Sequence, residues 1–150
     1  MYNDCHVHFC GTETPDAVLR AMDIAFIKRI GALSPDPKQD AAQQLINVEA
    51  FSRILQSAPD RIIGFCWLNP TLQGSADLAE HAITDLGYTG IKLIPHHWHA
   101  YDENLIPFWE RLSSLKVPCI IHTGILWGYE DSSRFCRPVD FEVLIKYSGI

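Results

Sequence analysis

The chain has 150 residues, enough for one domain whose core shields roughly two-thirds of the unfolded surface. Hydrophobic residues at 47% with charged residues at 20% describe a globular fold and exclude a disordered one. Twelve basic against 18 acidic residues leave −6 with histidine neutral, which argues against a nucleic-acid binder and its clustered Lys and Arg. No apolar run reaches the ~20 residues of a membrane span. The stretch from Met1 to Asp4 lacks the basic and apolar regions of a signal peptide. Five cysteines without paired spacing read as reduced thiols, so the expectation is a cytoplasmic protein with no membrane partner.

Tyr2 to Phe9 reads as a first strand ending before Gly11. Thr14 and Pro15 open a helix whose apolar positions are Ala17, Val18, Ala21 and Met22. Ile24 to Leu33 suggests a second strand, stopped by Ser34-Pro35-Asp36-Pro37. Lys38 to Ala58 reads as a long amphipathic helix burying Ala42, Leu45, Ile46, Phe51, Ile54 and Leu55. Ile62 to Leu68 is a nearly continuous apolar run of the kind found in strands covered on both faces. Ser75 to Leu86 is a helix, Tyr88 to Ile94 a fourth strand, and Asp102 to Leu115 a helix turning Leu105, Phe108, Trp109 and Leu112 inward. Val117 to Thr123 is a fifth strand, and Val139 to Tyr147 a fifth helix beyond a loop rich in Gly, Ser and aromatic residues.

Five βα repeats imply a parallel sheet with crossover helices, and no linker divides residues 1–150, which read as a single domain. Two architectures fit this α/β pattern. One is a complete five-stranded doubly wound sheet. The other is the front part of a (β/α)₈ barrel, which typically needs about 250 residues.

Seven histidines supply the sharpest chemical signal. His6 and His8, two apart on a strand, point to one face and can reach the same ion; neutral imidazole suits Zn²⁺ and similar divalent metals. Asp4 shares their parity, whereas Cys5 alternates to the other face and reads poorly as a nucleophile. His122 ends the fifth strand, and in parallel α/β folds ligands gather at the C-terminal ends of strands. Lys92 stands alone among the apolar residues of the fourth strand. It can meet a substrate carboxylate, bridge two metals in carboxylated form, or simply extend its ammonium to solvent. His96, His97 and His99 follow on the next loop; His96 is placed on the rim of a substrate pocket, with solvent the expectation for at least two of the three. Cys66, Cys119 and Cys136 read as small core residues. No glycine-rich phosphate loop or Gly-x-Ser-x-Gly elbow is present.

At these residues the chain resembles the amidohydrolase superfamily, in particular the amidohydrolase-related branch that also contains aromatic-acid decarboxylases. Asp4-x-His6-x-His8 with Gly11 resembles its first-strand metal motif, Gly90-Ile91-Lys92-Leu93 with Pro95 its fourth-strand segment, and Pro118 to Gly124, carrying His122, its fifth-strand motif. The resemblance implies an incomplete (β/α)₈ TIM barrel of about five parallel βα units. It also implies a divalent metal, Zn²⁺ by preference, on His6, His8 and His122, with Lys92 catalytic and His96 near substrate. That family adds a histidine after strand six and an aspartate after strand eight, and often places histidine where Ile94 stands. The implied activity is hydrolysis of a small-molecule amide or ester by metal-activated water. The alternatives are decarboxylation of a small aromatic or dienoic acid, and a non-catalytic barrel fragment that assembles with another chain. Open strand edges lead to the expectation of a homo-oligomer.

Overall fold

The chain alternates strands and helices. In order these are β1 (Tyr2–His8), α1 (Pro15–Ile24), β2 (Ile27–Leu33), α2 (Ala41–Ser57), β3 (Ile62–Leu68), α3 (Ser75–Thr84), β4 (Gly90–Leu93), a 3₁₀ turn (Glu103–Leu105), α4 (Ile106–Leu115), β5 (Cys119–Ile121), α5 (Ser132–Phe135) and a 3₁₀ stretch (Pro138–Lys146). This computed structural model describes residues 1–126, 128 and 131–150; part of the aromatic-rich loop after β5 lies outside them.

All five strands are parallel and lie in the order β1-β2-β3-β4-β5. That order decides between the two architectures. A doubly wound sheet reverses direction at a switch point and carries helices on both faces. Here every connection steps to the next strand in the same sense, and successive helices pack α1 on α2, α2 on α3 and α3 on α4. The helices therefore share one face, and the sheet curls with its other face inward, as five units of an incomplete (β/α)₈ barrel.

The helix-facing rows pair Ile30 with Ile62, Cys66 with Ile91, and Leu68 with Leu93 and Ile121. They form one core with Met22, Val48, Phe51, Leu55, Phe108 and Leu112. The opposite rows, facing the barrel interior, align His8 with Leu33, Phe65 and Gly90, and Trp67 with Lys92 and Ile120.

Several boundaries differ from the sequence expectation for identifiable reasons. Thr14 caps α1 through the Ala17 N–H at 3.4 Å, but the helix runs on to Ile24. Phe26, at φ +56°, then turns the chain so that β2 starts at Ile27. In α2, capped by Asp40, the buried stripe is Gln44, Val48, Phe51, Ser52, Ile54 and Leu55. Ala42, Leu45 and Ile46 are exposed instead. Gln44 takes the inward position because its amide donates to Ser75 Oγ at 2.9 Å and accepts from the Asn69 N–H at 2.7 Å. Satisfying both ends of that buried amide fixes the rotation of the helix. The expected fifth helix is a 3₁₀ stretch, with three-residue bonds from the Asp140 N–H to the Arg137 carbonyl and from the Tyr147 N–H to the Leu144 carbonyl.

The largest departure is in β1. Asp4 aligns with Ile30 but Val7 with Ala32, so three steps on β1 match two on β2, and the extra residue is a β-bulge. Cys5 and His6 together oppose Gly31. Asp4 thereby falls in the helix-facing row and borders the groove beside α1, rather than sharing the face of His6 and His8. Alternation no longer assigns Cys5 to the far face either. A Cβ at residue 31 would lie 2.6 Å from the Cys5 carbonyl oxygen, so only glycine admits the bulge without a backbone shift. Gly31→Ala is expected to cost about 1–3 kcal/mol. At roughly 2–4 °C per kcal/mol for a chain of this size, scanning calorimetry should show a clear fall in Tm; an unchanged Tm would mean that β1 pairs without the bulge.

Candidate functional site

The C-terminal ends of the strands carry the basic residues singled out by the sequence. Beyond the bulge, His6 and His8 turn the same way, and their Nε2 atoms lie 3.1 Å apart with ring centroids at 5.0 Å. Two imidazole nitrogens so close need a proton or a cation between them. Both pKa values sit below the usual histidine range, chiefly through desolvation. Lys92 adds to the depression in each, and His6 and His122 add to it in His8; Asp4 works the other way on His6. The Asp4 carboxylate also accepts the His6 N–H at 3.1 Å, a structural role beside the bulge.

Lys92 is 1% exposed, which rules out an ammonium extended to solvent. Among the described residues no carboxylate pairs with it, and desolvation lowers its pKa. His122 donates its backbone N–H to the Leu93 carbonyl at 3.0 Å, extending the β4–β5 ladder. Its Nε2 is buried without a hydrogen-bond partner, and desolvation, then Lys92, lowers its pKa. His6, His8, His122 and Lys92 are thus within electrostatic reach of one another. Only His6 and His8 are in contact, however. Among the described residues no three His, Cys, Asp or Glu side chains stand in a metal-holding arrangement.

In chemistry, though not in the spacing of all three histidines, these donors suit a divalent ion. They offer two neutral imidazoles with converging Nε2 atoms and a third whose buried nitrogen lacks a partner.

The loop after β4 is more enclosed than expected. Only His97 is exposed, at φ +61°, while His96 and His99 are half-buried and Trp98 is buried. His99 stacks on Tyr101 with centroids 4.7 Å apart, and Trp109 Nε1 donates to the Ala100 carbonyl at 3.0 Å, closing the loop over α4. His96 lines a small cavity with Trp67, Asn69 and Ile94. Cys66 and Cys136 are buried as expected, and Cys119 is half-buried. Burial pushes the Cys66 thiol up, away from a reactive thiolate.

Several residues that the sequence did not single out as functional shape the mouth. Trp67 packs edge-on against His8, with centroids 5.4 Å apart and ring planes at 73°. Ser34 Oγ accepts the Trp67 N–H at 2.8 Å, extending the pairing past the end of β2 where Pro35 has no N–H to offer. Asn69 ties the loop after β3 to the loop after β2 through Gln39 at 2.6 Å, while Asn47 Nδ2 donates to the Asp36 carbonyl at 2.8 Å. Glu13 folds back to accept the N–H groups of Cys10, Gly11 and Thr12 at 3.0, 2.9 and 3.1 Å, pinning the loop after His8. Gly11 before a carboxylate was the only sequence hint of that loop.

The amidohydrolase family profile matches residues 4–147. The chain belongs to the amidohydrolase family. No curated protein matches the sequence. Among solved structures, 4-oxalomesaconate hydratase from Rhodopseudomonas palustris aligns at TM-score 0.63 and 19% identity, over 81% of this chain and 52% of that one. The 5-carboxyvanillate decarboxylase of Sphingomonas paucimobilis aligns at 0.65 and 16%, over 89% and 45%. A dihydroxybenzoic acid decarboxylase from Polaromonas, with bound manganese and the inhibitor 2-nitroresorcinol, aligns at 0.62 and 16%, over 97% and 53%. The chain spans about half the length of these structures, and likeness at such identities shows the fold. Among the described residues no helix is long and apolar enough to cross a membrane.

Burial opposes ionisation of Glu13, but the backbone N–H groups outweigh it and hold the carboxyl below its usual range. A carboxyl lowered on folding stabilises the fold above its ordinary unfolded pKa, about 4.3, and that stabilisation is lost as pH falls through the folded value. Glu13→Gln should therefore be less stable than the parent at pH 7, with the gap closing below pH ~4. Urea titrations at both pH values test this; a gap that persists in acid would assign the effect to packing.

Proposed function

We propose that this chain carries the metal-binding side of an amidohydrolase-family centre and acts on a small-molecule substrate. His6, His8 and His122 are the metal-binding residues, Lys92 is catalytic, and His96 contacts substrate. The observation that carries this reading is the convergence of His6 and His8 at 3.1 Å beside a buried lysine with no carboxylate partner among the described residues. A divalent ion bound there, Zn²⁺ or Mn²⁺, would supply Lewis acidity toward a carbonyl and toward water. Desolvation keeps the imidazoles neutral and able to donate at neutral pH. Lys92, its charged form disfavoured by burial, offers an amine or ammonium to a substrate anion inside the barrel face.

Hydrolysis of an amide or ester is the principal reaction. Lys92 favours decarboxylation as a second reading, because an unpaired basic group in the interior suits a substrate that brings its own carboxylate. The similar structures named above include enzymes of carboxylic acids, which supports the same reading. Carbon dioxide is released only by decarboxylation, so product analysis separates the two.

Elemental analysis of the purified 150-residue protein should find one or two equivalents of divalent metal. His8→Ala should lower metal affinity by more than the ~10–100-fold typical of outer-shell substitutions. Affinity should hold near pH 7 and fall in acid, as protons compete for imidazoles whose pKa values lie below the ordinary ~6.5. Wild-type protein that takes up no metal at neutral pH would overturn the reading.

Among the described residues, β1 and β5 also each leave one side without a neighbouring strand in the sheet. We propose that the chain self-associates through these edges. Sedimentation equilibrium at micromolar concentration should give a mass above 17.0 kDa, and a strict monomer would exclude this.

A further inference from the structure

The two open edges of the sheet are unlike each other. Beside β5 the helix layer is already closed off. The 3₁₀ stretch Pro138–Lys146 buries Leu144 in the core and packs Phe141 and Val143 against it. Just beyond it, the Ser148 carbonyl accepts the Ser113 hydroxyl of α4 at 2.7 Å. Beside β1 the layer stays open. A groove of about 440 Å³ runs between β1 and α1, with Val7, Val18, Met22, Ala25 and Ile27 among its lining residues.

At the foot of the groove, where β1 begins and α1 ends, apolar side chains face water. Tyr2, Ile24 and Phe26 are 74%, 80% and 70% exposed. Phe26 also has its backbone at φ +56°, a region that bulky residues occupy only where the surroundings impose it. Its N–H donates to the Asp23 carbonyl at 3.1 Å, and its carbonyl accepts the Tyr2 N–H at 2.9 Å. Glycine would make the same turn without strain. An aromatic ring fixed in solvent at a position that favours glycine does little for a monomer and suits a contact surface.

Charge is divided along the same flank. Toward the head, at the C-terminal end of β1, Glu13 lines the groove and Asp16 stands exposed in the first turn of α1. At the foot, Lys28 and Arg29 are exposed in the opening residues of β2, and Asp23 is already paired with Arg61 at 2.8 Å. Among the described residues neither Asp16 nor Lys28 has an ion-pair partner.

We propose that a second copy of this chain occupies this flank, related by a two-fold axis across β1, with the two β1 strands antiparallel. The foot of each copy then meets the head of the other. Phe26 and Ile24 enter the facing groove, and the basic foot lies against the acidic head. A two-fold uses the same surface twice and closes at two copies. Antiparallel pairing also satisfies the free N–H and C=O groups of both β1 edges. The inference rests on the reading that the chain self-associates, and narrows it to one edge, one symmetry and one stoichiometry.

Sedimentation equilibrium of the purified chain should show a monomer–dimer equilibrium with a limiting mass twice 17.0 kDa. Phe26→Gly separates a contact residue from a structural one. The dimer Kd should rise about 10–100-fold, while the Tm measured in dilute, monomeric protein should not fall, because the turn loses its strain. Ile24→Lys should weaken the dimer in the same direction, and decides if the glycine variant does not fold. Lys28→Glu and Asp16→Lys should each weaken it about two- to fivefold. Combined in one chain they should recover most of that loss, because each foot faces the other head.

A double variant no tighter than the single ones would overturn the antiparallel arrangement. A lower Tm with unchanged association in Phe26→Gly would make Phe26 structural and overturn its role. Oligomers that grow beyond two, or a dimer indifferent to both Phe26→Gly and Ile24→Lys, would leave self-association standing and sink this surface alone. A chain that stays monomeric sinks both. If that monomer binds phosphatidylserine vesicles in a Phe26-dependent way, the patch belongs to a lipid surface instead.

Discussion

Side chains on a strand alternate between two faces, so the whole candidate site depends on how β1 registers against β2. A slip of one residue would send His8 to the helices and Val7 to the interior. The bulge at Cys5 and His6 sets that register, and Gly31 is the residue that makes room for it. The same bulge removes Asp4 from the histidine face, leaving an interior edge that bears imidazoles without an adjoining carboxylate from its own strand. Phe9, buried against Phe51 with centroids 4.8 Å apart, then anchors the strand just past His8.

With register fixed, the site's electrostatics follow from crowding of basic groups. Partial removal from water disfavours a proton on His6, His8, His122 and Lys92 alike; Lys92 adds to that cost on all three histidines, His6 on His8 and His122, and His122 on His8. The outcome is a cluster whose protonation is disfavoured and whose imidazoles remain rich in lone pairs. Such a cluster gains most from something positive at its centre, or from a substrate anion beside Lys92. Either would relieve a desolvation cost that the described residues do not offset themselves.

Much of this was readable from residue order. Proline and glycine punctuation located all five strands, β3 within its observed limits, and Lys92 and His122 announced themselves as polar residues in apolar strands. The doubly wound alternative was separable only through strand order, which no local pattern encodes. The bulge escaped because a strict two-residue period assumes one residue per partner, and nothing in Asp4-Cys5-His6 marks an insertion. Gln44 escaped because its burial is licensed by Asn69 and Ser75, far off in sequence. Trp67 looked like one more apolar residue in Ile62 to Leu68, since a strand apolar on both faces conceals which side is which. Solvent was expected for at least two of His96, His97 and His99, but only His97 is exposed, because His99 stacks on Tyr101 and His96 packs against His97 beside Trp67.

The loops around the mouth are tethered in two different ways. Glu13 binds the loop after β1 to itself, within three residues, whereas Gln39–Asn69 joins the loops after β2 and β3, and Gln44 and Ser75 tie Asn69 to α2 and α3. The mouth therefore has two lips of unequal mechanics. One is a stiff plate spanning β2 and β3, in which displacement of either loop drags the other. The other is a loop beside His8 that Glu13 pins to itself, joined to β2 through the Phe9 N–H on the Leu33 carbonyl at 3.2 Å. The two lips are thus held by separate sets of hydrogen bonds and meet at the edge-on contact of His8 with Trp67, so that a substitution in one set leaves the bonds of the other in place.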